Sequence, residues 1–173
     1  QHGPPSFPVE FKQLGAAIEF TRLEPERTYE ISGLRVTPKR QRHAGDSYGY
    51  RFEGEGKVLV YSTDSEHKLD DAGETRGFVA FFHKADLVIF DAQYSLADAV
   101  SLKEDWGHSS NIVGVELCQM AGAKHLCLFH HEPILDDERL AAVLQETQRL
   151  EEITHGENRV RVSAAYDGME IAL

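Results

Sequence analysis

The sequence predicts an α/β chain, a sheet covered by helices. Three observations point there. The first third holds short apolar segments broken by Gly, Asp and Glu turns, the pattern of antiparallel strands. Beyond about residue 70, short continuous apolar runs alternate with segments whose apolar residues recur at i, i+3 and i+4, so strand and helix take turns. Three of the continuous runs are followed closely by an ionisable residue, Asp64, Asp91 or His130. That is where open α/β sheets place their ligands.

Taken in order, the chain opens with QHGPPSFPVEF, three prolines in its first eight residues. Proline fixes φ and restricts the preceding residue, so residues 1–15 are expected to be linker-like, with the domain at 16–173. This is an odd start for a domain and it has no initiator Met, so the chain is expected to be a piece of something longer. Ile18, Phe20 and Leu23 alternate roughly and predict a strand. TYEISGLRVTPK, with Gly33 at its middle, predicts a hairpin. His43 leads into a strand at Tyr48-Gly-Tyr-Arg-Phe52, and 53–56 is a turn before KVLVYSTDSEH. There Val58, Leu59, Val60 and Tyr61 read as a buried strand that delivers Asp64.

Phe78, Phe81, Phe82 and Ala85 share one face of a short helix. This stripe is read as core or as a covered interface. LVIF at 87–90 is a buried strand ending at Asp91. Ser109 or Ser110 caps a helix carrying Ile112, Val113, Leu117 and Met120. LCLF at 126–129 is another strand, ending at His130 and His131. Asp136 or Asp137 caps a longer helix with Leu140, Val143, Leu144 and Leu150 inward. RVRV at 159–162 and MEI at 169–171 predict a last strand pair, split by Asp167-Gly168.

Composition narrows the function classes. The 173 residues, 41% hydrophobic and 27% charged, suffice for one domain with a real core. No apolar run approaches the ~20 residues of a membrane span, and no signal-peptide pattern is present. No membrane partner is expected. Cys118 and Cys127 sit in apolar contexts and read as buried reduced thiols, which suits a cytoplasmic protein. A formal net charge of −11 opposes phosphate polyanions. Lys39, Arg40 and Arg42 beside His43 form the best basic cluster, read as a solvated strand end or as counter-charge for a substrate phosphate.

Histidine and carboxylate at one rim of a sheet suit zinc, manganese or iron(II), since imidazole is a borderline ligand and a carboxylate can bridge two ions. Spacing alone leaves such a site open, because the residues are far apart in the chain.

RHAGDSYGYRF, VLVYSTDSEH, ADLVIFDAQY, WGHSS, KHLCLFHHEP and VSAAYDGMEI together resemble, in this order, the metallo-β-lactamase fold. The chain is most similar to the phosphodiesterase and tRNA 3′-processing nuclease branch, from about His43 to the end. The resemblance implies the carboxyl-terminal half of the four-layer αββα sandwich. It also implies metal ligands at His43, Asp64 and His130, with Asp64 bridging two ions. His108 matches the histidine that can act as proton donor, and Asp91 the acidic residue that can orient it. In such hydrolases two metals lower the pKa of a bridging water and clamp the phosphoryl oxygens. The cofactor implied is a divalent metal, zinc first, with manganese or iron as alternatives.

One departure is large. The family's His-x-His-x-Asp-His loop supplies four ligands, and none of the nine histidines stands in that pattern. Three ligands remain, so an amino-terminal segment or another chain is expected to complete the site. The expected function is a metal-dependent hydrolase of phosphodiester type, this chain carrying the second half of the site and being weak or inactive alone. The substrate would be a small phosphodiester or cyclic nucleotide; a homo-oligomer is left open. The alternatives are a truncated, non-catalytic module that binds or regulates, or a thioester or lactone hydrolase. Trp106 reads as a packed aromatic, and His67, His83, His125 and His155 as non-functional.

Overall fold

A computed structural model describes residues 9–10, 13–95 and 107–173. Most of the proline-rich start and Trp106 lie outside the described residues. The strands are β1 (Tyr29–Ile31), β2 (Leu34–Gln41), β3 (Ser47–Gly54), β4 (Lys57–Ser62), β5 (Leu87–Asp91), β6 (His125–Phe129) and β7 (Arg161–Ala164). The helices are α1 (Ala72–Phe82), α2 (Asn111–Ala121) and α3 (Asp137–Thr154). The strands form one sheet in sequence order, antiparallel from β1 to β4 and parallel from β4 to β7.

The two predicted tight turns form for a local reason. Ser32 and Gly33 have φ of 50° and 82°, and Glu55 and Gly56 have 51° and 73°. Two successive residues at positive φ match the twist of a hairpin, and glycine takes the second at little cost.

Among the described residues, each parallel strand after β4 is preceded by one helix. A constant crossover hand places all three helices on the same face. Val60, Val88, Phe90, Leu126, Leu128 and Val162 alternate onto that face. They form the core with Phe78, Phe82, Val115 and Leu117, all at most 7% exposed. The phenylalanine stripe of α1 is therefore core, as expected. The opposite face carries Tyr50, Phe52, Leu59, Tyr61 and Ile89, all half-buried.

Helix caps follow the sequence. The Ser110 side chain accepts from the Val113 amide, and Asp136 from the Arg139 amide. Cys118 and Cys127 are free and buried, and burial pushes both thiols up, so they stay protonated. No helix among the described residues is long and apolar enough to cross a membrane.

Two expectations are corrected. Ile18, Phe20 and Leu23 belong to no strand, and Phe20 is 76% exposed. Alternation alone does not make a strand when no ladder partner is offered. The Met169 to Ile171 segment does not pair either. The chain after β7 makes one bond to β6, from the Ala165 amide to the Leu128 carbonyl, and then turns, Met169 bonding back to Tyr166. Met120 on α2 is half exposed, while Leu117 is buried. On α3, Leu144 and Leu150 pack half-buried against the core as expected, and Thr147 and Glu151 are the buried residues. Thr147 bonds Asn111 of α2, and Glu151 accepts the Val160 amide, so α3 docks partly through polar contacts.

Candidate metal centre

Because β4, β5 and β6 are parallel, their carboxyl ends share one rim. β2 runs antiparallel to β3, and β3 to β4, so the end of β2 falls on that rim too. Four strands thereby present His43, Asp64, Asp91 and His130 together, and the β5–α2 connection adds His108. Ligand atoms of Asp64, Asp91, His108 and His130 all lie within 4.8 Å of one another. His43 stands beside them, its ring edge-on to His108 with centroids 5.1 Å apart. It is not within that 4.8 Å group. All five residues singled out in the sequence thus meet at one place.

Asp64 and His130 each follow a strand in a left-handed conformation, with φ of 54° and 57°. Asp and His tolerate this region better than most residues, yet it carries local strain, which concentrates at functional sites. The turn brings His130 Nε2 to 3.2 Å from Asp64 Oδ1. Both side chains remain open to solvent, at 36% and 47% exposure. His130 Nδ1 is buried without a hydrogen-bond partner among the described residues.

Asp91 is completely buried and accepts four hydrogen bonds. Oδ2 takes His108 Nδ1 at 2.8 Å and the Ser65 amide at 3.1 Å; Oδ1 takes the Gln93 amide at 3.2 Å and the Ser109 amide at 3.4 Å. These donors take up its lone pairs, and it ties together the two loops that carry Ser65 and Ser109. With Nδ1 turned to Asp91, His108 presents Nε2 outward. Its ring stacks on His130, centroids 4.8 Å apart. His43 Nδ1 lies 2.9 Å from the Ala44 carbonyl, so it donates there and leaves Nε2 as a free lone pair, the ligand tautomer.

Side chains that the sequence did not mark hold the rim. Gln41 is buried; its Nε2 donates to the Thr63 carbonyl at 2.6 Å and its Oε1 accepts from Ser62 Oγ at 2.7 Å. The Glu66 amide bonds the Arg42 carbonyl at 2.9 Å, joining the His43 and Asp64 segments. Ser65, His67 and Ser109 are buried beneath the site. A buried polar residue inside a segment already rich in Ser and Thr leaves no pattern in sequence. Tyr61 lies near Asp64, and burial first and the Asp64 charge second hold its phenol above the usual range, so it stays neutral.

The basic cluster is balanced by acids. Lys39 pairs with Glu26 at 3.0 Å, Arg40 with Asp46 at 3.3 Å and Arg42 with Glu74 at 3.8 Å. Lys39 also sits over the Phe78 ring at 5.0 Å. Arg40 and Arg42 fit the reading of a solvated strand end, whereas the Lys39 side chain is largely buried.

Several known structures share this arrangement of chain. A metallo-β-lactamase fold protein from Bacillus subtilis, YhfI, superposes with a TM-score of 0.67 at 19% identity, over 86% of this chain and 54% of that one. Human tRNase Z, short form, gives 0.58 at 21% identity, over 85% and 47%. A diphosphatase from the PhnP family gives 0.52 at 22% identity, over 87% and 47%. The chain spans about half the length of these structures. No curated protein matches it by sequence. The beta-lactamase superfamily domain matches residues 2–131. With the α/β sheet and its site rim already in place, that match means the chain belongs to the beta-lactamase superfamily and has the metallo-β-lactamase type of fold.

Proposed function

We propose that the chain carries part of the site of a metal-dependent hydrolase of phosphodiester type. The observation that carries this is the convergence of Asp64, His130 and an Asp91-oriented His108 within 4.8 Å, on the rim where the strands end. The donor set fits a divalent ion: imidazole is a borderline ligand and carboxylate a hard oxygen donor, and His130 Nδ1 has no hydrogen-bond partner among the described residues. Asp64, His130 and the Nε2 of His43 would hold it, zinc first, with manganese or iron as alternatives. When bound, such an ion supplies Lewis acidity toward a phosphoryl oxygen and makes water a stronger acid.

The chain's own residues supply the rest. His108, held through Nδ1 by Asp91, directs Nε2 to donate a proton to a leaving oxygen, and the Asp91 carboxylate stabilises the imidazolium. The tRNase and diphosphatase among the similar folds act in phosphoryl chemistry, which agrees with a phosphodiester reading. The net charge of −11 and the paired state of Lys39, Arg40 and Arg42 favour a small phosphodiester or cyclic nucleotide over a polyanion. Three ligands are too few for two ions. An amino-terminal segment or another chain, a second copy included, is therefore proposed to complete the site. Two buried thiols suit a reducing cytoplasm.

The test is a titration with zinc or manganese against a chromogenic phosphodiester, on this chain and on any longer form of it. Turnover that follows metal occupancy is expected in the longer form. No turnover there, and no stoichiometric metal by elemental analysis, would leave a binding or regulatory module instead.

A second expectation concerns Gly107, at φ 87°. A Cβ there would stand 2.8 Å from His43 Cδ2 and 3.3 Å from its Cα. Gly107→Ala should therefore push His43 off the site. Metal affinity is expected to fall about 10–100-fold, as for residues that support ligands, and stability by about 1–2 kcal/mol from the left-handed backbone. Calorimetric metal titration and denaturant unfolding check the two effects separately, and an unchanged affinity would remove His43 from the ligand set.

A further inference from the structure

His67 has no part in the chemistry described above, yet it is built into the floor of the site. It is 7% exposed, stacked on Phe90 with centroids 4.9 Å apart and edge-on to Phe78 at 4.2 Å. Its Nδ1 lies 2.7 Å from Ser109 Oγ, and Ser109 Oγ donates to the Ser65 carbonyl at 2.8 Å. One hydroxyl has one proton. Ser109 spends it on Ser65, so it must accept from His67, which is therefore an Nδ1–H tautomer. Nε2 is left as an acceptor, 3.4 Å from Ser65 Oγ.

Ser65 follows Asp64, and Ser109 follows His108. The chain from His67 through Ser109 to Ser65 thus ties the loop carrying a proposed metal ligand to the loop carrying the proposed proton donor. Asp91 joins the same two loops through the Ser65 and Ser109 amides, and also holds the His108 ring. The two loops are cross-linked twice, once by the carboxylate at the end of β5 and once by an imidazole seated among aromatic rings. An imidazole serves here because it is flat enough to stack and still offers one fixed N–H. Burial lowers its pKa to about 3, so the ring stays neutral and the tautomer persists across ordinary pH.

We infer that His67 is a positioning residue, whose Nδ1–H bond to Ser109 sets the separation of Asp64 and His108. This rests on the hydrolase reading for its catalytic consequence, but not for the clamp itself. A displacement of even 1 Å between metal ligand and proton donor is enough to slow a reaction substantially.

The experiment compares His67→Phe, His67→Asn, Ser109→Ala and the double variant His67→Phe/Ser109→Ala. Phenylalanine keeps the stacked ring and removes the donor. Asparagine places an N–H near the Nδ1 position without the ring. Amide hydrogen exchange at Ser65 and Ser109 reads the clamp without metal or substrate. Exchange is expected to quicken about 10-fold or more in His67→Phe and in Ser109→Ala, to be no faster in the double variant, and to recover partly in His67→Asn. In the longer form, kcat for the phosphodiester is expected to drop about 10–100-fold with KM nearly unchanged, as for residues that orient ligands. Unchanged exchange in a folded His67→Phe would overturn the inference, whatever the activity. Normal exchange effects with no turnover in the unmodified longer form would sink the hydrolase reading and leave the clamp standing. If His67→Phe does not fold, Ser109→Ala and His67→Asn decide alone: protection lost in the first and kept in the second supports the clamp, and the same protection in both rejects it.

Discussion

Asp64→Ala is expected to abolish stoichiometric metal binding while barely weakening the fold. The carboxylate is 47% exposed and stands 3.2 Å from His130 Nε2, so its removal takes a donor from the site without opening a cavity. Support residues around metals typically cost 10–100-fold in affinity, so loss of a direct ligand should exceed about 100-fold. Aspartate already carries the strain of φ 54°, so alanine adds little to it, and glycine relieves it. Asp64→Gly should therefore lose metal equally and unfold at the same denaturant concentration as the parent, or a higher one. Elemental analysis with calorimetric titration measures the first effect, and denaturant unfolding the second. Metal content unchanged in both variants would take Asp64 out of the site.

Asp91 is expected to give the largest loss of stability. Asp91→Ala leaves three backbone amides and the His108 imidazole without their acceptor, around a carboxylate that is fully buried. Each orphaned donor costs about 1–3 kcal/mol, so the sum can approach the whole stability of a domain of this size. Asp91→Asn separates fold from function. It keeps the shape and one acceptor, but its NH2 meets two donors, either the Ser65 amide and His108 Nδ1–H or the Gln93 and Ser109 amides. In the first arrangement His108 inverts its tautomer or loses its orientation, and in both the charge that supports an imidazolium is gone. Turnover of the longer form is expected to fall about 10²–10⁴-fold, while metal stoichiometry stays intact. The split between turnover, which falls, and metal content, which does not, gives the discriminating readout. Full activity in Asp91→Asn would show that His108 needs no orienter.

The sheet and its site were legible to different depths. Apolar runs of β4, β5 and β6 show in sequence because strands buried against helices need near-continuous Val, Leu, Ile and Phe. The two tight turns show because their glycines answer a backbone demand that is local. Caps at Ser110 and Asp136 are visible for the same reason. Ile18 to Leu23 and Met169 to Ile171 misled because alternation states which face would be buried but not whether a neighbouring strand exists.

At the rim the division is sharper. Chain order and residue type, read with the family resemblance, named His43, Asp64, Asp91, His108 and His130, and placed most of them at or just beyond strand ends. By itself the sequence determined which chemical groups are available, that they are metal donors, and that four further ligands of the family pattern are missing from it. Only the tertiary structure decided that β2 returns parallel to β4, so that His43 reaches the same rim. It alone showed that Asp64 and His130 turn inward through left-handed backbone, that Asp91 is filled by four donors, and that Gln41, Ser109 and His67 lie beneath them. The reason is physical. Donor type is a property of one residue, whereas separations of a few ångströms between residues 20 to 90 positions apart come from strand direction and register, and from buried hydrogen bonds that no local pattern records.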